Sequence, residues 1–129
     1  MKSVVFCGSK RFKPELRKFA KVLQDKGVIC YIPFHHSGLK EWDNLSEKYK
    51  QFIALGLTHE HFNKIRLADI VYVFNKNGYS GNSTTLEIGY AAALGKPIYG
   101  YSDQDEELCR KYLFRGFYSD PKEFLKILK

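Results

Sequence analysis

Short apolar runs alternate with amphipathic stretches along the whole chain. Ser3-Val-Val-Phe-Cys-Gly8 is an apolar run closed by glycine, the mark of a buried strand and a tight turn. From Pro14 to Lys26 the apolar positions Leu16, Phe19, Ala20 and Leu23 recur at helical spacing, with Pro14 suited to the first turn and Gly27 to the stop. Val28-Ile-Cys-Tyr-Ile32, closed by Pro33, predicts a second strand, and residues 34–40 predict a loop with Ser37-Gly38 at its tip. Glu41 to Leu55 predicts a helix broken at Gly56. A new helix then starts at Thr58, where Leu57 and Phe62 fall at hydrophobic-staple positions around a Thr58 N-cap. Asp69 to Phe74 reads as the third strand, and Asn75 to Asn82, rich in Asn, Gly and Ser, as a loop. Thr84 to Leu94 is helical and apolar nearly all round, which implies burial on more than one side, and Gly95 ends it. Pro97 to Tyr101 predicts a fourth strand, Asp105 to Tyr112 a short helix, Phe114 to Tyr118 an edge strand and Pro121 to Leu128 a last helix.

Strands that alternate with helices favour a parallel sheet with right-handed crossovers and helices on both faces. The expected fold is an α/β, three-layer, Rossmann-like or flavodoxin-like domain whose five-stranded parallel sheet has the order 2-1-3-4-5. The 129 residues suit one domain over 1–129, and an apolar share of 44% suits an ordinary globular core. In such a sheet ligands bind outside the strand C-terminal ends at the switch point, here between strands one and three.

The net charge of +7 changes the picture little. Lys10, Arg11, Lys13, Arg17, Lys18, Lys21 and Lys26 crowd the first quarter, as a solvated helix face or as a local positive field for a small phosphorylated ligand. A nucleic-acid module would need a recognition helix or aromatic platform, and neither is present in the pattern. No apolar run is long enough for a signal peptide or a membrane span, so a cytoplasmic location without membrane attachment is expected. Cys7, Cys30 and Cys109 are odd in number and widely spaced, which argues against a disulfide framework or a zinc site. His59 and His61 lie two apart on a predicted helix and point to opposite sides, so no metal is expected there, and no cofactor is expected.

Two loops should converge at the switch point. Cys7-Gly-Ser-Lys-Arg11 follows strand one. Gly8 lets backbone amides approach an anion, Ser9 offers a hydroxyl, and Lys10 or Arg11 supplies charge. The second loop, Gly78-Tyr-Ser-Gly-Asn-Ser-Thr-Thr-Leu-Glu87, feeds Ser80, Gly81, Asn82 and Ser83 toward a helix N-terminus. Thr84 and Glu87 match a capping box. Glu87 is also placed at the crevice, where a partly buried carboxylate acts as a nucleophile or base.

Ala68-Asp69-Ile-Val, Ser83-Thr-Thr-Leu-Glu87-Ile-Gly-Tyr-Ala91 and Leu94-Gly-Lys-Pro97 together resemble the nucleoside 2-deoxyribosyltransferase family. Phe6-Cys-Gly-Ser-x-Arg11 is similar to the family's branch of 2′-deoxynucleoside 5′-phosphate N-hydrolases. The resemblance implies that Glu87 attacks the anomeric carbon and releases the base. It implies further that Ser9 and Arg11 bind a 5′-phosphate, and that two copies associate with a neighbour completing the site. The chain departs from the family at two positions. An Asp six residues before the catalytic Glu is replaced by Gly81, between Ser80 and Asn82; the hydrolases carry a phosphate-binding Ser there, a role a one-residue shift would give Ser80. A second Asp is replaced by His61, which can shuttle protons near neutral pH.

The expected activity is cleavage of the N-glycosidic bond of a nucleoside or nucleoside 5′-monophosphate, with Glu87 as nucleophile, His61 protonating or orienting the base, and water as acceptor. Base exchange by a deoxyribosyltransferase, or a nucleotide-binding module without catalysis, are the alternatives. A homodimer is expected, burying Ile88, Ala91, Ala92 and Leu94 together with Trp42, Leu45, Tyr49 and Phe52.

Overall fold

The computed structural model describes residues 1–33 and 41–129. The loop expected at 34–40, with His35, His36 and the Ser37-Gly38 tip, lies outside the described residues. Five parallel strands form one sheet: β1 Val4–Cys7, β2 Cys30–Tyr31, β3 Ile70–Val73, β4 Ile98–Gly100 and β5 Gly116–Phe117. Their order is β2-β1-β3-β4-β5, as the alternation of elements implied. Among the described residues five α-helices accompany them: α1 Lys13–Asp25, α2 Glu47–Leu67, α3 Asn82–Ala93, α4 Leu108–Lys111 and α5 Pro121–Ile127. Among the described residues no helix is long and apolar enough to cross a membrane.

Every residue of β1 and β3 is buried, because helices cover both faces of the sheet. Side chains alternate between two cores. Val4, Phe6, Tyr72 and Phe74 face α1 and α5, packing with Leu16, Phe19, Leu23 and Phe124. Val5, Cys7, Val71 and Val73 face α2 and α3, packing with Ile65, Ile88 and Ala91. The first core is largely aromatic: Phe19 stacks on Tyr72 at 4.6 Å between ring centres, and Phe124 closes on Tyr72 at 4.8 Å. The Tyr72 hydroxyl donates to the Tyr118 carbonyl at 2.6 Å, so its burial leaves no polar group unmet.

Beyond β3, the loop is fastened by Asn75. This buried side chain accepts from the Tyr101 and Ser102 amides, both at 2.9 Å, and donates to the Ser102 carbonyl at 3.0 Å. Gly78 follows at φ +78°, and a Cβ there would stand 2.4 Å from the Gln104 backbone, so only glycine fits.

The expected break at Gly56 is absent. α2 runs unbroken from Glu47 to Leu67, with Ser46 as its N-cap accepting from the Tyr49 amide, and Trp42–Asn44 form a separate 3-10 turn before it. An interior glycine costs a helix only about 1 kcal/mol, which the packing of Ile65 and the Phe62–Tyr90 stack at 4.4 Å outweighs. Thr58 is accordingly no N-cap; its hydroxyl donates back to the Ala54 carbonyl at 2.7 Å. Two residues expected at an interface, Ile88 and Ala91, are buried in the chain's own second core.

Candidate active site

The site grows from the ends of β1 and the start of α3. Gly8 ends the strand where Leu16 and the Phe74 carbonyl crowd the backbone; a Cβ there would meet them at 3.1 and 3.2 Å. Ser9 then caps the short turn Lys10–Phe12, its hydroxyl oxygen accepting from the Arg11 amide at 3.3 Å. Across the cleft, α3 opens at Gly81, with no side-chain cap on its first amides. Those amides and the helix dipole favour an anion. The cap lies before Asn82, so Thr84 sits inside the helix and the capping box with Glu87 does not form.

Glu87 instead turns toward α2. Its carboxylate oxygen Oε2 contacts Nδ1 of His61, and the two side chains are only 12% and 9% exposed. The other imidazole nitrogen, Nε2, lies 3.1 Å from the Phe6 carbonyl oxygen and 3.5 Å from Cys7 Sγ. Burial pushes the Cys7 thiol well above the usual range, and the nearby Glu87 charge adds to this, so the sulfur stays protonated. Tyr31 packs edge-on to the imidazole at 5.7 Å between ring centres and donates its hydroxyl to Glu60 at 3.4 Å. Burial, with Glu60 adding to it, pushes that hydroxyl up to about 12, so it is neutral in the ordinary pH range.

Of the residues singled out in the sequence, Gly8, Ser9, His61, Gly81, Asn82, Ser83 and Glu87 line one cleft of about 390 Å³. Arg11 and Ser80 do not line it. The Arg11 guanidinium lies 3.6 Å over the ring of Tyr79, whose hydroxyl in turn covers Gly81. Ser80 faces the opposite side of its loop, in a hollow with Asp105 and Arg110, where its hydroxyl is buried without a hydrogen-bond partner among the described residues. Sequence reasoning missed Ala54, Leu57 and Thr58, which form the cleft wall with His61. Their spacing of three, four and seven along one helix face carries that signal, but it is visible only if the helix continues through Gly56.

Cys7, His61 and Glu87 are the set among the described residues whose ligand atoms all lie within 4.8 Å of one another. The imidazole offers opposite nitrogens to the other two. An ion bound by all three would have to break one of these contacts first.

The sequence model of one protein family, described as nucleoside 2-deoxyribosyltransferase, matches residues 4–124. Among solved structures, a 2-deoxyribosyltransferase from the psychrotolerant bacterium Bacillus psychrosaccharolyticus superposes with a TM-score of 0.67 at 20% identity, over 95% of this chain and 90% of that one. A conserved protein from Enterococcus faecalis V583 superposes with a TM-score of 0.61 at 15% identity, over 98% of this chain and 96% of its own. At these identities the likeness is one of fold. No curated protein sequence matches the chain.

Proposed function

The chain belongs to the nucleoside 2-deoxyribosyltransferase family, and from that premise we propose that it is a hydrolase of nucleoside 5′-monophosphates with Glu87 as nucleophile. As a member it is an enzyme acting on the N-glycosidic bond of nucleosides. The observation that carries the finer reading is the largely buried Glu87 carboxylate, held against His61 in a cleft whose volume lies in the range of small-molecule sites. A carboxylate so placed attacks the anomeric carbon as the base leaves, and water then releases the sugar.

The loop after β1 supports a phosphate on the substrate. Ser9 keeps its hydroxyl hydrogen free to donate, since its oxygen is the acceptor for Arg11. Lys10 lines the cleft, and Arg11 stands beside it on Tyr79. Lys10→Ala should weaken 5′-monophosphate binding by about ten- to a hundred-fold, the worth of one charged hydrogen bond at roughly 1.5–3 kcal/mol, and Arg11→Ala by less, since Arg11 stands outside the cleft on Tyr79. Calorimetry should find the unphosphorylated nucleoside nearly unaffected, and raised salt should weaken the monophosphate alone. Equal losses for both ligands would assign these side chains to the fold.

The test of the activity is chromatography of free base after incubation with nucleosides and their monophosphates, with and without a second base. Free sugar phosphate as the product supports hydrolysis. A new nucleoside appearing only with the second base supports transfer, the reaction for which the family is named. Tight binding without turnover would leave a nucleotide-binding module.

We further propose that two copies associate symmetrically through α2. Tyr49, Phe52 and Leu55 recur three apart on its outer face, with Phe52 76% exposed, and Leu86 of α3 is exposed too. Trp42 and Leu45 are half-buried and take a smaller share. Light scattering at micromolar concentration should give a dimer mass that Phe52→Glu reduces to a monomer's. A monomer mass for the unaltered protein would rule the association out.

A further inference from the structure

The hydrogen-bond partners of His61 restrict which neighbour it serves. Nε2 lies 3.1 Å from the Phe6 carbonyl oxygen, an atom that only accepts. A bare nitrogen there would set lone pair against lone pair, so Nε2 carries a hydrogen and donates it to the backbone of β1. The protonated Cys7 thiol, 3.5 Å away, is a weak donor as well as a weak acceptor, and the nearer carbonyl, which can only accept, decides the assignment. Tyr31 from β2 presents its ring and turns its hydroxyl to Glu60, while the Lys64 ammonium sits 5.5 Å over that same ring. The remaining nitrogen, Nδ1, has one partner in these contacts, the Glu87 carboxylate of α3. With Nε2–H committed, a further proton lies between Nδ1 and Oε2.

Resting on the reading of Glu87 as nucleophile, we infer that His61 is a positioning residue whose Nδ1 hydrogen holds one oxygen of Glu87 and is not given to the departing base. The free Glu87 oxygen bonds to C1′ as the C1′–N bond breaks. The electron pair of that bond leaves with the base, which takes its proton from water. A second water oxygen then bonds to C1′, the bond from C1′ to Glu87 returns its pair to the carboxylate, and the proton of that water passes to solvent. The Nδ1 hydrogen stays between His61 and Glu87 throughout. A hydrogen bond of this kind fixes the carboxylate rotamer and leaves the second oxygen for attack.

Two substrates separate this role from that of an acid. One is a nucleoside 5′-monophosphate; the other is a 2-deoxyriboside with a p-nitrophenolate leaving group, which departs without protonation. His61→Ala should lower kcat on the order of 100-fold on both, the cost of a misplaced nucleophile. His61→Asn, whose amide N–H stands where Nδ1–H stood, should recover part of the loss on both. A loss that vanishes with the nitrophenyl leaving group would overturn the inference, since it marks a proton donor to the base; Asn as slow as Ala on both would overturn it too. Nitrogen NMR of the imidazole reads the same arrangement without a variant. Nε2 should carry its hydrogen in the free enzyme, and a bare Nε2 would overturn the assignment. Cleavage that survives Glu87→Ala would sink the nucleophile reading itself, an outcome distinct from all of these.

Discussion

Glu87→Ala should lower kcat for glycosidic cleavage by about four to six orders of magnitude, the usual cost of deleting a covalent nucleophile, while the melting temperature falls by no more than several degrees, the cost of leaving the His61 imidazole without its carboxylate partner. That loss corresponds to roughly 5–8 kcal/mol of transition-state stabilisation. The two effects separate because Glu87 carries little of the fold. α3 is started by Gly81 and held by Ile88 and Ala91 against the sheet, whereas the Glu87 carboxylate meets His61 in the cleft. Had the residue been a helix cap, its removal would cost about 1 kcal/mol of stability and leave the rate alone. Rate and melting measured on the same preparation therefore decide between the two roles. Mass spectrometry of a quenched reaction should also find the sugar on Glu87 in the unaltered enzyme, and its absence from a slow-turnover substrate would count against a covalent intermediate.

Asp105→Ala should destabilise the protein by about 3–5 kcal/mol, the cost of leaving one member of a desolvated ion pair alone, read as a fall in melting temperature of roughly 10–20 °C. The Asp105 side chain is 1% exposed and accepts from Arg110 twice, at 2.6 and 2.8 Å, and from the Glu107 amide at 2.9 Å. The third arm of the guanidinium donates to Thr85 in the first turn of α3 at 2.9 Å, so the pair braces the helix that carries Glu87. Burial alone would raise the Asp105 carboxyl. The Arg110 and Glu107 hydrogen bonds, with the charges of Arg110 and Lys111, outweigh it and hold the group below the usual range. A carboxylate held down in the folded state stabilises fully above its unfolded value of about 4 and loses that contribution as pH falls through the folded one. The wild type should consequently lose stability more steeply below about pH 4 than Asp105→Ala does. Asp69, held down by Ser3, follows the same trend in both proteins and cancels. Parallel pH curves would overturn the assignment.

The strand runs were legible because their signal is local. Val4 to Cys7 and Ile70 to Val73 are apolar at every position, which two helix-covered faces require. Gly56 misled because its weak local preference is overruled by packing at Ile65 and Phe62, contacts that no window around the glycine contains. The all-apolar character of α3 implies burial on more than one side; the chain's own second core takes Ile88 and Ala91, and Leu86 stays exposed. Within the site, Glu87 stood out by its motif and His61 by its place in the resemblance. Their contact was not legible, since it depends on how α2 and α3 pack across the sheet. The positions of Arg11 and Ser80 were hidden for a similar reason. The first rests on the ring of Tyr79, and the second on a loop that turns through left-handed conformations at Asn77 and Gly78.

The outermost strands, β2 and β5, each pair through only two residues. A foreign strand laid along such a border would gain a few backbone hydrogen bonds, each worth about 0.5–1.5 kcal/mol net. It would lose about 1–2 kcal/mol of backbone freedom for each residue it orders. Strand addition thus fails to recover its own entropy, and the blunt borders guard the fold against sheet-to-sheet aggregation even though its central strands are among the most apolar segments of the chain.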